Sequence, residues 1–167
     1  AGHPGGLQVE AAIASQYTKQ TVYVQDQLRA IGIDAAIKVV DVATLEKRFV
    51  SGDFAMSVYL PTQPIDEPDL FLAFYVAGGG RNYSGFNDKQ VNDWYQEQSL
   101  TLDPAKRKEI VLNIQRKVLD QAPTPVLYHQ IYELPYWKCV KGYYPEKQIG
   151  GHNTLKWQNV WLDEGCR

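Results

Sequence analysis

LQVEAAIA at residues 7–14, TKQTVYVQDQLRAIG at 18–32 and IDAAIKVVD at 33–41 decide the fold of this chain. The first reads as a strand. In the second, Val24, Leu28 and Ile31 recur at i, i+4 and i+7, which predicts a helix over 18–31 with one apolar stripe. Gly32 supplies the left-handed residue on which many helices end. In the third, Ile33, Ala35, Ile37 and Val39 alternate with other residues, the period of a strand. Asp41 then suits the N-cap of a helix carrying Leu45 and Phe49, Gly52 stops it, and FAMSVYL (54–60) reads as a third strand. Strands alternating with helices over short connections imply an α/β fold with parallel strands and right-handed crossovers. In such sheets ligands sit beyond the carboxyl ends of the strands. That rule selects two loops, Ser15–Thr18 and Pro61–Asp66.

Downstream the helical period takes over. Asp66 or Glu67 suits the cap of a helix with Pro68 in its first turn and Leu70, Phe71, Leu72 and Phe74 along it. A glycine-rich stretch, GGGRNYSGFN, follows at 78–87. Asn87 with Gln90 resembles a capping box and opens a helix bearing Val91, Trp94 and Tyr95. Asp103-Pro104 starts the longest helix, to about Gln121, with Ile110, Ile114 and Val118 on one face. VLYHQIYELPYW (126–137) is aromatic and strand-like, and the tail from Gly142 reads as loops with short extended pieces. Without repeats or a low-complexity linker, 1–167 reads as one domain.

Composition excludes several classes. With 17 basic and 19 acidic residues, there is no charge excess of the kind that binds nucleic acid. The apolar runs are too short to span a bilayer. AGHPGG at the start lacks the basic flank and apolar core of a signal peptide, so an exported protein would be processed or truncated here. Cys139 and Cys166 fit no four-ligand zinc pattern; a disulfide and two free thiols both remain open.

The candidate chemistry is sparse. The DEPD run at 66–69 matches carboxylates placed at a helix start, where the dipole favours them, better than a paired acid/base site. Gly78–Gly80 lacks the Lys-Ser/Thr ending of a phosphate loop and reads as a turn. His3, His129 and His152 stand singly, without metal-ligand spacing, and no G-x-S-x-G elbow occurs. No catalytic set, metal or cofactor is called for. Tyr128, Tyr132, Tyr136 and Trp137 have two readings, core or interdomain packing, or the wall of a pocket.

A further pattern runs through the chain in order. AGHPGGLQVE, QDQLRAIGIDAAIKVVD, LEKRFVSGDFAMSVY, DEPDLFLAFYVAGGGRNYSGFNDKQVNDWYQEQ and DPAKRKEIVLNIQRKVLDQAPTPVLYH, closed by VKGYYP and VWLDE, resemble successive motifs of the family 5 extracellular solute-binding proteins of ABC importers, the dipeptide, oligopeptide and nickel binders. The resemblance is to the C-terminal lobe. It implies lobe II of a type II periplasmic-binding-protein fold, a mixed sheet flanked by helices, in a two-lobed protein that closes on its ligand by hinge motion. It implies capture and delivery to an ABC permease rather than catalysis, in the periplasm or anchored outside the membrane. The partners it implies are a peptide or other small molecule, the absent N-terminal lobe and the permease. A ligand-sensing domain of a signalling receptor shares the fold and is the alternative; an enzyme is the more distant one. Expected ligand contacts are Gln16, Tyr17, Tyr59, Thr62, Gln63, Pro64, Ile65 and Asp66, with Asn82 and Tyr83 behind them. In the family's peptide binders an aspartate just before the "DP" pair holds the ligand's α-ammonium group. An ungapped count puts Pro64 there, with Asp66, Glu67 and Asp69 the nearest acids.

Overall fold

In the computed structural model, residues 5–61, 67–129, 133, 135–143 and 159–166 are described. The chain divides into two compact units, one up to Pro61 and one from Thr62 onward.

The first unit is built on two parallel strands. β1 (Leu7–Ala14) and β2 (Ile33–Val40) pair in register from Leu7 opposite Ile33 to Ala14 opposite Val40, and α1 (Thr18–Arg29) connects them. Ala11, Ala12, Ile13 and Ala14 are all buried, the continuous run expected of a parallel strand covered on both faces. The helix stops two residues before the sequence expectation, and Gly32 closes the turn at φ +82° with its N–H on the Arg29 carbonyl (3.0 Å). Ile31 is therefore 72% exposed and not part of the stripe; Thr21 takes a place in it instead, fully buried. Its hydroxyl donates to the Tyr17 carbonyl (2.7 Å), which removes the cost of burying it.

α2 (Val42–Ser51) follows, capped by Asp41, whose carboxylate accepts from the Thr44 N–H (2.9 Å), and ended by Gly52 at φ +70°. Leu45 and Phe49 are its buried face, as their spacing requires. Glu10 on β1 meets Lys38 (3.1 Å) and Arg48 (2.7 Å), so strand, neighbouring strand and α2 share one charge cluster.

The expected third strand at 54–60 forms a single parallel bridge, Met56 with Ala11, and one further bond from Ala12 N–H to the Met56 carbonyl (3.0 Å). The reason lies in its side chains. Phe54 and Tyr59, five positions apart, both pack edge-on against Phe49, at 5.1 and 5.6 Å. A regular strand would place them on opposite faces.

The second unit is mainly helical. α3 (Pro68–Leu72) has Glu67 as N-cap and runs into a 3-10 turn at Ala73–Tyr75. α4 (Lys89–Leu100) is capped by Asp88, one residue later than the sequence indicates, through its acceptance from the Val91 N–H (3.0 Å). Asn87 instead accepts from the Asn92 side chain (2.9 Å). α5 (Pro104–Gln121) is capped by Asp103. Ile110, Val111, Ile114 and Val118 of α5 pack with Leu72, Val76 and Val91, and Tyr75, Phe86, Trp94 and Tyr95 close the cluster.

The expected aromatic strand at 126–137 is absent among the described residues. Tyr128, Tyr136 and Trp137 are exposed, so packing into this chain's own core is not their role; Tyr132 lies outside the described residues. The tail does contain extended pieces: β3 (Val140–Lys141) pairs antiparallel with β4 (Trp161–Leu162). Cys139 and Cys166 form a disulfide beside them, which resolves the alternative left by the sequence. Among the described residues no helix is long and apolar enough to cross a membrane.

Candidate functional site

The carboxyl end of β1 turns directly into a 3-10 turn at Ser15–Tyr17, which carries Gln16 and Tyr17 into the loop expected to meet ligand. The Thr18 hydroxyl donates to the Ser15 carbonyl (2.7 Å), and the Thr21 bond to Tyr17 fixes the other side of the turn. Because Met56 pairs with Ala11 in the parallel sense, the chain through Tyr59 emerges at the same end as Tyr17. The two rings meet edge to face, centroids 6.4 Å apart, and Tyr59 rests on the buried Phe49. Such contacts fix ring orientation and contribute about 0.5–1.5 kcal/mol each.

Tyr17 and Tyr59 are half-buried and Gln16 is exposed. Ser15, Gln16, Tyr17 and Tyr59 are themselves uncharged and present hydroxyls, an amide and ring faces, while the Asp41 carboxylate, one residue beyond Val40, stands at the same strand end. That set can stack on and hydrogen-bond a neutral group. It holds no nucleophile beside a base, as covalent catalysis would need. Thr62, Gln63, Pro64, Ile65 and Asp66 lie outside the described residues.

In the second unit, Asn82 is the hub of its own loop. Its amide donates to the Val76 and Phe86 carbonyls (3.0 and 2.7 Å) and its oxygen accepts from the Phe86 N–H (3.1 Å) and the Ser84 hydroxyl (3.1 Å). These bonds fold the glycine-rich segment, with Gly78 and Gly85 at positive φ, into a fixed turn. The adjacent Tyr83 is half-buried.

The acidic run, expected as helix-dipole carboxylates, also anchors a polar network. Glu67 caps α3 and pairs with Arg107 of α5, whose Nε donates to Gln98 Oε1 (3.1 Å). Gln98, fully buried in α4, donates to Asp69 and to the Ser99 hydroxyl (2.8 Å). The Arg107 guanidinium holds the Glu67 carboxyl below the usual range. Burial first, and the Asp69 carboxylate second, push the Tyr95 phenol up. One signal was available: Gln98 continues the stripe of Val91, Trp94 and Tyr95, and a polar residue on an apolar face asks for buried partners. Among the described residues no group of His, Cys, Asp or Glu is arranged to hold a metal ion.

This architecture is that of type II periplasmic binding proteins. No family model matches the chain, and no curated protein does. Solved structures do. The periplasmic binding protein DppA from Helicobacter pylori, associated with an ABC transporter and solved with the peptide STSA, is 25% identical with a TM-score of 0.78; the match covers 98% of this chain and 32% of that one. AppA from Clostridium difficile, described as a putative peptide binding protein, is 18% identical with a TM-score of 0.73, over 95% of this chain and 34% of that one. NikA from Staphylococcus aureus, solved with nickel and histidine, is 20% identical with a TM-score of 0.64 over 71% of this chain. The chain thus spans about a third of the length of the first two. Its resemblance to the peptide- and nickel-binding solute-binding proteins of ABC importers is carried by three-dimensional structure as well as by motif order, and these neighbours are binding proteins.

Proposed function

We propose that this chain is the C-terminal ligand-binding lobe of an extracytoplasmic solute-binding protein. It captures a peptide or related small solute by hinge closure and delivers it to the permease of an ABC importer. The observation that carries the reading is the match along 98% of the chain to a peptide-bound periplasmic binding protein. The aromatic end of the first unit supports it, because Tyr17 and Tyr59 offer a preset aromatic wall and Gln16 an amide donor and acceptor. Its place is the periplasm or an anchored position outside the membrane. The remaining candidates, Thr62 to Asp66, come from motif order alone. Asn82 serves its own loop, and we assign it no ligand contact.

Pro64 at the position of the family's ammonium-binding aspartate implies a ligand without a free amine at that point, since a buried unpaired charge is costly. Calorimetric titration of the two-lobed protein with Ser-Thr-Ser-Ala, its N-acetylated form and a panel of di- to pentapeptides tests both statements. We expect binding within the panel, similar affinity for free and acetylated forms, and a loss of roughly tenfold or more in Tyr17→Ala and Tyr59→Ala. No binding across the panel would overturn the peptide reading. A strong free-amine preference that disappears in Asp66→Asn would show that the acidic contact sits two residues along from Pro64.

A further inference from the structure

β2 stands at the margin of its sheet: among the described residues it pairs with β1 alone. One bond fixes the direction of its backbone groups. The Leu7 N–H donates to the Gly32 carbonyl (2.9 Å), and in a parallel ladder each second residue from there turns both its N–H and its C=O to the neighbouring strand. Asp34, Ala36, Lys38 and Val40 therefore serve β1, while Ile33, Ala35, Ile37 and Val39 direct theirs outward. The Ala35 carbonyl agrees with this, since it accepts from the Gln25 side chain of α1 on the outer side. A carbonyl has a second lone pair, so that bond does not close the edge. The N–H groups of Ile37 and Val39 meet no acceptor among the described residues.

An open strand edge is a template for another strand, and proteins blunt such edges with proline, bulges or charge. β2 has no proline, and its ladder with β1 is unbroken over all 8 residues. It does carry charge, and the charges form a self-complement. Laid antiparallel on itself about Ala36, IDAAIKV (33–39) puts Ile33 opposite Val39, Asp34 opposite Lys38 and Ala35 opposite Ile37. The outward-directed residues then meet as hydrogen-bonded pairs. Asp34 and Lys38 meet as a non-hydrogen-bonded pair, where side chains come closer. Both are available: Asp34 is 54% and Lys38 57% exposed, and the small Ala36 between them is exposed too. Within the chain Asp34 meets Arg29 (3.2 Å) and Lys38 meets Glu10 (3.1 Å). The pairing extends these into a row of alternating sign, Arg29–Asp34–Lys38–Glu10, formed twice by symmetry. Neighbouring registers set both charges against uncharged residues, and those beyond set Asp34 on Asp34 or Lys38 on Lys38. We propose that β2 is a homotypic docking edge, to which a second copy of this chain adds its own β2, antiparallel, about a twofold axis at Ala36.

The proposal does not involve the ligand site, so its failure leaves the solute-binding reading untouched. Amide hydrogen exchange followed by NMR, from about 10 μM to about 1 mM protein, reads it without any variant. In dilute solution the Ile37 and Val39 amides are expected to exchange quickly and the Ala36 and Lys38 amides slowly, because only the latter bond to β1. At high concentration Ile37 and Val39 should gain roughly tenfold or more in protection, in step with a sedimentation coefficient rising towards that of a dimer. Asp34→Lys and Lys38→Asp should each weaken association roughly tenfold, because each sets like charges face to face. An equimolar mixture of the two should associate again, since each supplies the sign the other lacks. Val39→Pro removes one outward N–H, spares the ladder to β1 and should weaken association as well. A protein that stays monomeric over the whole range overturns the proposal. So does a dimer that leaves these amides unprotected, or a mixture that associates no better than its parts. Protection of Ile37 and Val39 that is independent of concentration overturns it too, and assigns the edge to another segment of the same chain.

Discussion

The two units of this chain are held by different means. In the first, the interior at β1 is made of small side chains, Ala11, Ala12 and Ala14 around Ile13, and order comes from the strand ladder with helices laid close against it. In the second, two helices bury branched side chains against each other, a polar network crosses between α3, α4 and α5, and a disulfide fixes the tail. The ladder needs backbone regularity and tolerates little bulk. The helical unit depends on a few large side chains and on named polar partners. Point changes should therefore reach further in the second unit than in the first.

The largest effect is expected at Ile114, which is fully buried at the centre of the helical cluster. Ile114→Ala should cost about 4 kcal/mol, the transfer term plus an unfilled cavity. Hydrogen exchange should report the loss in amides of α4 and α5 and leave the β1–β2 amides protected. Equal loss of protection in both units would mean that they unfold together and would remove the contrast.

Next in size is the staple. Removing the Cys139–Cys166 bond, with Cys139→Ser and Cys166→Ser, should cost the β3–β4 clasp about 3.5 kcal/mol for a sequence separation of 27. Exchange of the Val140 and Asp163 amides should rise sharply while the core of α5 is unaffected. A fall in the stability of α5 of the same size would show that the clasp is part of the helical core.

Both outcomes bear on what was legible in the sequence. The strands at 7–14 and 33–40 were readable, because strand-length apolar-rich segments and the recurrence of Ile33, Ala35, Ile37 and Val39 at every second position are local patterns. The caps at Asp41, Glu67 and Asp103 were local too. The segment 54–60 was not: its alternation is that of a strand, and the shared contact with Phe49 that disrupts it is tertiary. The same holds for the aromatic stretch at 126–137, whose composition suits a strand but whose described residues join no strand. At the candidate site, the rule of strand ends selects the loop that holds Tyr17, while Tyr59 falls inside the expected strand 54–60; the structure brings the two rings together. The Glu67–Arg107 pair joins residues 40 apart, which no local pattern encodes.

That pair gives a pH test of intermediate size. The Glu67 carboxyl is held below its ordinary range by Arg107, so the folded state binds its proton less readily than the unfolded chain does. The stabilisation is present above the unfolded value and is lost as pH falls through the folded one. Glu67→Gln should lower the melting temperature of the second unit at neutral pH, and the difference from wild type should shrink as the solution is made more acidic. A difference that is constant from neutral to strongly acidic pH would mean that the charge of Glu67 contributes nothing.

The smallest expected effect isolates a cap in the first unit. Asp41 accepts from the Thr44 N–H (2.9 Å) and the Thr44 hydroxyl (2.6 Å), and those bonds, the hydroxyl first, hold its carboxyl below the usual range. Asp41→Asn keeps an acceptor and removes the charge; Asp41→Ala removes both. A free N–H at a helix start is only partly compensated by water, so Ala should destabilise α2 more than Asn does. The charge also faces the positive end of the helix dipole, so Asn should fall between Ala and wild type at neutral pH. Lowering the pH protonates the wild-type carboxyl and should bring wild type down towards Asn, while the gap between Asn and Ala persists. Exchange of the amides at Thr44 and Leu45 reads this locally. If Asn and Ala behave alike at every pH, the side-chain acceptor is irrelevant, and the order of α2 comes from burial of Leu45 and Phe49 alone, which would make the first unit as dependent on a few large side chains as the second.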